Sequence, residues 1–365
     1  MLAVFLLALA PSPAPQLAVR SRAVFDPPAP FRSVAEAQAF ASYPDGGAVI
    51  AGTFLAGLTP NQEANGFVGR VDPDGRPLWR SDFFLLGPSN DSDEAVPRAV
   101  AVLDDGAVIA AFRGVPSFTS VYLRAYEPSG ALRWERSINA PSMSYEYVRI
   151  GASGATEGSD ALLHFEWRPE TVSGAGLAVS SRIDGATGAT VWQQSRDIGI
   201  QVVFPDPTRA AVRNGALYFV EGRPDRSQWA YKLDASGGVV YETGRLFPTD
   251  GSSAPRFRVD PAGNVVVGRT GDLTLLDAAG NISKRISGVN YREVRWTPDG
   301  GLVGLRTPNL DAYDASGNLL WTRSGLSNAS TMEVTPDGDV RVVRTFAPFS
   351  VQFSITEISA QGAVI

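Results

Sequence analysis

Along most of the chain, apolar residues fall at every second position over short runs, and the runs are separated by glycine-bearing turns. "YPDGGAVIAG" (43–52), "LDDGAVIAAF" (103–112) and "RNGALYFVEG" (213–222) each set a turn ahead of such a run. "DPAGNVVVG" (260–268), "TPDGGLVGL" (297–305) and "TPDGDVRVV" (335–343) do the same, with a looser version in "EGSDALLHF" (157–165). A period of two predicts strands, and a glycine turn between two such runs predicts an antiparallel hairpin. A helical period is sustained nowhere after residue 40.

A second phrase follows each of these hairpins. It reads "RVDPDGRPLW" (Asp72, Gly75, Trp79), then "AYEPSGALRW" (Glu127, Gly130, Trp134), then "RIDGATGATVW" (Asp184, Gly188, Trp192) with one extra residue. It continues as "KLDASGGVVY" (Asp234, Gly237, Tyr241), "LLDAAGNISK" (Asp277, Gly280, Lys284) and "AYDASGNLLW" (Asp314, Gly317, Trp321), and ends in "EISAQGAVI" (Ser359, Gly362). These seven copies lie 37 to 57 residues apart. Each unit therefore reads as four antiparallel strands, A to D, with uniform A–B and C–D turns and variable connections elsewhere. Four-stranded units at this spacing predict an all-β, seven-bladed β-propeller, with six or eight blades as alternatives. The blades start near residues 33, 97, 146, 205, 255, 290 and 329 of a single domain over 17–365. "LAVRSRAVF" (17–25) is expected to supply the outer strand of the last blade and so close the ring; the alternative is that "AVI" suffices and 11–32 is a linker.

The turn chemistry explains the second phrase. Asp accepts backbone N–H groups across a tight turn, and Gly takes the positive φ the turn needs. Four of the seven tryptophans occupy the aromatic position four residues later. There they are expected to pack against the neighbouring blade, so the Asp, Gly and Trp positions read as structural.

The "RIDGATGATVW" copy resembles the tryptophan-docking motif, A-x-D-x-x-T-G-x-x-x-W, of the quinoprotein-like β-propeller repeat family, with Arg182 in place of the initial Ala. The likeness spans most of the chain and implies the propeller fold. Quinoprotein oxidoreductases of this kind carry pyrroloquinoline quinone and Ca²⁺, usually on eight blades and often beside a vicinal cysteine pair. This chain has no cysteine, and seven repeats are visible. The reading is therefore a non-enzymatic member with no cofactor. It is a scaffold for a protein or polysaccharide partner on the variable-connection face. A quinone-dependent oxidoreductase and a carbohydrate-active propeller enzyme are the alternatives.

Composition narrows the chemistry further. The net charge is −6, so no basic field calls for nucleic acid. Without cysteine there is no disulfide, thiolate metal site or Cys nucleophile. One histidine, His164, excludes a histidine-based metal centre and argues against a Ser–His–Asp triad. "MLAVFLLALA" followed by "PSPAPQ" is too short to span a bilayer and is expected to be a signal segment within 1–16, directing a monomeric, exported protein. The run lacks a leading Lys or Arg, and an apolar strand is the alternative reading.

Function is expected on the face of the B–C and D–A connections, which run from "RTGD" (269–272) to "DFFLLGPSNDSDEAVP" (82–97). Strand B ends on arginine in six of seven units: Arg113, Arg168, Arg223, Arg269, Arg306 and Arg344, with Thr53 in the first. Two readings follow, a ring of guanidinium groups for an anionic ligand or a repeat-encoded salt bridge. "NDSDEAV" (90–96) offers Asp91, Asp93 and Glu94 as a calcium loop or, alternatively, as a solvated acidic loop. Glu166 and Glu170 form a possible carboxylate pair.

Overall fold

The structure is a computed structural model that describes residues 35–43, 45, 47–55, 64–74, 76–83, 96–114, 120–139, 145–155, 159–169, 176–198, 210–222, 227–247, 256–327, 329–335, 337–345 and 353–364. Every regular element in them is a strand. The first sheet holds β1 (Ala35–Ser42), β2 (Ala48–Leu55), β3 (Ala64–Val71) and β4 (Pro77–Phe83). The second holds β5 (Val96–Val102), β6 (Val108–Gly114), β7 (Ser120–Tyr126) and β8 (Leu132–Asn139). The third holds β9 (Tyr145–Ala155), β10 (Ala161–Pro169), β11 (Gly176–Ile183) and β12 (Thr190–Ile198). The fourth holds β13 (Ala210–Arg213), β14 (Ala216–Gly222), β15 (Gln228–Leu233) and β16 (Val239–Glu242). The fifth holds β17 (Arg256–Val259), β18 (Val265–Arg269), β19 (Gly271–Leu276) and β20 (Ile282–Val289). The sixth holds β21 (Glu293–Trp296), β22 (Leu302–Arg306), β23 (Asn309–Tyr313) and β24 (Leu319–Arg323). A three-stranded sheet of β25 (Ala329–Val334), β26 (Val340–Thr345) and β27 (Phe353–Ile358) follows. A bridge between Ile358 and Val364 sits where the other sheets begin their fourth strand.

Each sheet is an antiparallel meander in sequence order, and burial follows position within it. β14 and β18 are buried at every residue, because the second strand has a neighbouring sheet on both faces. The fourth strands β8 and β20 alternate between exposed and half-buried positions, as an outer edge does. First strands of successive sheets touch from β1 to β5 and onward through β9, β13, β17, β21 and β25. Apolar clusters fill the gaps between sheets. Val68 with Phe112 joins the first two, Phe165 with Leu123 the next pair, and Phe219 with Leu162 the pair after that. Val267 with Tyr218, Tyr313 with Leu273, and Leu305 with Met332 continue the series. The core thus lies between face-packed sheets arrayed about their first strands.

The register contains a repeated irregularity. In all six four-stranded sheets the third and fourth strands slip by a bulge just beside the turn, between Arg70/Val71, Ala125/Tyr126, Arg182/Ile183, Lys232/Leu233, Leu275/Leu276 and Ala312/Tyr313. A bulge re-aims the side chains beyond it. Those side chains are the repeat's aromatic position, and they turn toward the next sheet.

Candidate functional site

The meander puts the A–B and C–D turns at one end of every sheet and the other connections at the opposite end. At the turn end, each aromatic position caps the next sheet. A Cβ added to Gly130 would lie 2.7 Å from the Trp79 ring, and one added to Gly188 would lie 2.7 Å from Trp134. Trp192 covers Gly237, Tyr241 covers Gly280, and Trp321 covers Gly362 in the same way. Lys284 substitutes its aliphatic stem over Gly317. Each indole N–H also donates to a turn carbonyl of the sheet it covers: Trp79 to Pro128 at 3.0 Å, and Trp134 to Gly185, Trp192 to Ala235 and Trp321 to Ala360 at 2.9 Å.

The turn carboxylates act locally. Asp72 accepts the Arg76 N–H, Asp184 those of Ala186 and Thr187, and Asp234 those of Ser236 and Gly238. Asp277 and Asp314 each accept two backbone N–H groups and an Asn side chain. Glu127 instead holds the Arg133 guanidinium through both oxygens, at 2.8 and 2.7 Å. Gly75 lies outside the described residues.

At the connection end, two of the six strand-B arginines are described with their side chains. Arg269 is buried. Its Nη2 is 2.8 Å from Asp272 Oδ2 on β19, and its guanidinium lies 4.5 Å from the centre of the Phe247 ring. Arg306 Nε donates to Asp311 Oδ2 at 2.6 Å, and its side chain stays 40% exposed. Asp311 is buried on β23, where it also accepts the hydroxyls of Thr322 at 2.7 Å and Tyr291 at 2.8 Å. The Tyr291 and Tyr313 hydroxyls are in direct contact. Burial raises the carboxyl pKa of Asp311, but hydrogen bonds from Arg306, Thr322 and Tyr291 outweigh it, so it stays below the usual range. Burial, with hydrogen bonds to Tyr313 and Asp311, pushes the Tyr291 phenol up. In both sheets the arginine is thus paired with an aspartate of its own sheet; the aromatic residue of the preceding connection lies against Arg269 itself in one, and against the aspartate in the other.

The side chains of Arg113, Arg168 and Arg344, and all of Arg223, lie outside the described residues, as do Asp91, Asp93, Glu94 and Glu170. Nor are 1–34, with the expected signal segment and closing strand, among them. His164 is buried on β10, stacked on Phe219 at 4.5 Å, with Nδ1 3.1 Å from Ser180 Oγ. Phe219 stacks in turn on Tyr231, and the Arg196 guanidinium lies 5.3 and 5.0 Å from these two rings. Glu166 is buried beside this cluster. Sequence reasoning missed Asp311, Tyr291 and Phe247. The one available signal was a carboxylate in mid-strand, in the otherwise apolar "NLDAY".

Among the described residues no group of three or more His, Cys, Asp or Glu is placed to hold a metal ion. Among them too, no helix is long and apolar enough to cross a membrane, which says nothing of a membrane β-barrel.

This arrangement of sheets is shared with solved structures of several kinds. The chain is similar to Sqt1 from Chaetomium thermophilum at 15% identity and a TM-score of 0.54, over 90% of this chain and 83% of that one. It is similar to quinohemoprotein alcohol dehydrogenase from Comamonas testosteroni at 11% identity and a TM-score of 0.56, over 90% of this chain and 66% of that one. A puromycin hydrolase matches at 14% identity and a TM-score of 0.50, over 92% of this chain and 53% of that one. The chain thus spans about two thirds of the dehydrogenase and about half of the hydrolase. At such identities the likeness establishes the fold, and the class is a β-propeller. No family model matches the sequence, and no curated protein does.

Proposed function

We propose that this chain is a non-enzymatic, seven-bladed member of the quinoprotein-like propellers, exported and monomeric, that binds a protein or polysaccharide through its B–C and D–A connections. The observation that carries the reading is the contrast between the two ends of the sheets. The turn end is a repeated lattice of Asp–backbone bonds and docked side chains, and the connection end is the part that varies most in length. Residues 17–25 close the ring beside β27. At the connection end, the Arg306 side chain stays 40% exposed while Asp311, itself held by Tyr291, fixes its position, which suits recognition of an anionic group. Arg269 is spent on its own aspartate and Phe247. Arg113, Arg168, Arg223 and Arg344 complete the proposed anion-binding set.

The test is retention of a purified anionic polysaccharide, such as heparin or alginate, and of envelope proteins on the immobilised chain. A parallel arm adds pyrroloquinoline quinone with Ca²⁺. Changing Arg306 and the four partner arginines to Ala is expected to cut retention at least about tenfold, the worth of one or two charge-assisted contacts. Unchanged retention removes the arginines from the reading. A bound chromophore with dye-linked alcohol oxidation replaces the scaffold by the oxidoreductase.

A further inference from the structure

The turn end holds an arginine-shaped vacancy. Between the first two sheets, Arg70 bridges Asp45 Oδ2 at 3.0 Å to the Pro128 carbonyl at 3.4 Å, with its guanidinium 4.0 Å from the Tyr43 ring centre. Between the second and third, Arg133 bridges Asp105 Oδ2 at 2.9 Å to the Gly185 carbonyl at 3.3 Å. Between the third and fourth, Arg182 bridges Asp160 at 2.6 Å to the Ala235 carbonyl at 2.9 Å. The rule is consistent across the three. One guanidinium joins a carboxylate of the A–B turn to the carbonyl of the next sheet that also accepts the docked indole N–H.

The sixth sheet keeps every part of this device except the arginine. Asp299 stands at the turn position of Asp45 and Asp105, and its Oδ1 accepts the N–H two residues on, as theirs do. The Ala360 carbonyl of the next sheet accepts the Trp321 indole. The residue paired with Trp321 is Ala312, where Trp79 pairs with Arg70 and Trp192 with Arg182. The residue preceding Trp321 is Leu320, where Arg133 precedes Trp134. In the fifth sheet acid and base are both replaced, by Ala262 and Leu275. The second sheet also pairs its tryptophan with an alanine, Ala125, but there Arg133 reaches Asp105, whereas the sixth has leucine at that second position. The space left is a cavity of about 150 Å³ lined by Asp299, Asp337, Ala312, Tyr313, Trp321 and Ala360. Neither Asp299 nor Asp337 is ion-paired among the described residues. The Thr297 hydroxyl holds the Asp299 carboxyl below the usual range, so it is an anion at neutral pH.

We propose that the cleft between the sixth and seventh sheets binds a guanidinium group, presented by an arginine side chain of a partner polypeptide. Two carboxylates, a carbonyl with a free lone pair and an indole face match the donors and the flat faces of that group. An ammonium cannot bridge a carboxylate and a carbonyl through a planar fork, so lysine fits less well. This surface is on the end opposite the proposed connection-face site, and the two stand or fall separately.

The experiment follows the Trp321 indole N–H by NMR in the full chain, assigned with Trp321→Phe, during titration with ethylguanidinium, the peptide Gly-Arg-Gly and the peptide Gly-Lys-Gly. A saturable shift is expected with the two guanidinium probes, with a Kd on the order of millimolar for a single charged group. The lysine peptide is expected to bind about tenfold more weakly. Tighter binding of the arginine peptide than of ethylguanidinium identifies a polypeptide as the source, whereas equal binding identifies a free solute and overturns the polypeptide assignment. Asp299→Asn is expected to abolish the shift. Ala312→Arg is expected to abolish it too and to raise the Tm, because it supplies internally what Arg70 supplies elsewhere. No saturable shift, an unchanged shift in either variant, or equal affinity for the lysine peptide overturns the proposal.

Discussion

Gly188 has a φ of +74°, and a Cβ placed on it would sit 2.7 Å from the Trp134 ring. Gly288 has nearly the same backbone, φ +77°, with nothing within 4 Å of the added carbon. The pair separates two costs that the sequence leaves merged in one letter. Gly288→Ala pays the left-handed conformation alone, about 1 kcal/mol. Gly188→Ala adds displacement of a docked indole, roughly 2 kcal/mol more from lost burial. Urea denaturation of the two variants is expected to show that difference, and equal losses would mean the ring does not depend on the glycine. The sequence made the glycine legible as a turn residue. That it is also a landing surface depends on a residue in the preceding repeat, which local turn chemistry does not reveal.

At the scale of the element, strands that look alike in sequence carry different electrostatics. "ALLHFEW" is a plain second strand by pattern, yet it seals His164 between Ser180 and Phe219. Burial drives its pKa down from 6.5 to about 4; Glu166 on the same strand opposes the shift, and Arg196 on β12 adds to it. Glu221 on β14 lies 3.8 Å from Arg196 and completes the charged groups around the ring. The sign follows from proton uptake. Below pH 6.5 the unfolded chain binds a proton that the folded chain refuses until about pH 4, so stability falls as pH falls through that window. The loss is roughly 3 kcal/mol. Chemical denaturation at pH 7 and pH 4.5 is expected to show a smaller decline for His164→Gln than for the parent chain. Identical declines would place the proton elsewhere. The Arg306–Asp311–Tyr291 cluster makes the same point at the other end of the sheets. The strand pattern located Arg306, but its partner Asp311 comes from the neighbouring strand, and Tyr291, which holds that aspartate, from the preceding connection.

For the molecule as a whole, stability rests on contacts passed from sheet to sheet. Each docked residue belongs to one sheet and covers the next, from Trp79 on Gly130 through Trp321 on Gly362. In such an array the ends are the weak points, because an unpaired edge and an uncovered turn are exposed there. The proposed closure by residues 17–25 predicts that removing 1–16 leaves the Tm unchanged. Removing 1–25 is then expected to lower it by roughly 5 °C or more, as loss of one or two kcal/mol does in a chain of this size. Differential scanning calorimetry of the two truncations decides it, and equal Tm values would leave 17–25 as a linker.

By itself the sequence determined the architecture. A two-residue period and a phrase repeated every 37 to 57 residues leave few folds other than four-stranded units set side by side. Both signals are local: turn chemistry and strand alternation act over a handful of neighbouring residues, so they survive in one dimension. What faces what was decided only in three dimensions. The bulge beside each turn aims the docking residues, the partners of Arg269 and Arg306 arrive from separate strands and connections, and Ala312 matters because arginines fill its place in other sheets. An alanine in a strand carries no signal of its own. It becomes a cavity only when the fold stacks it against Asp299 and Trp321.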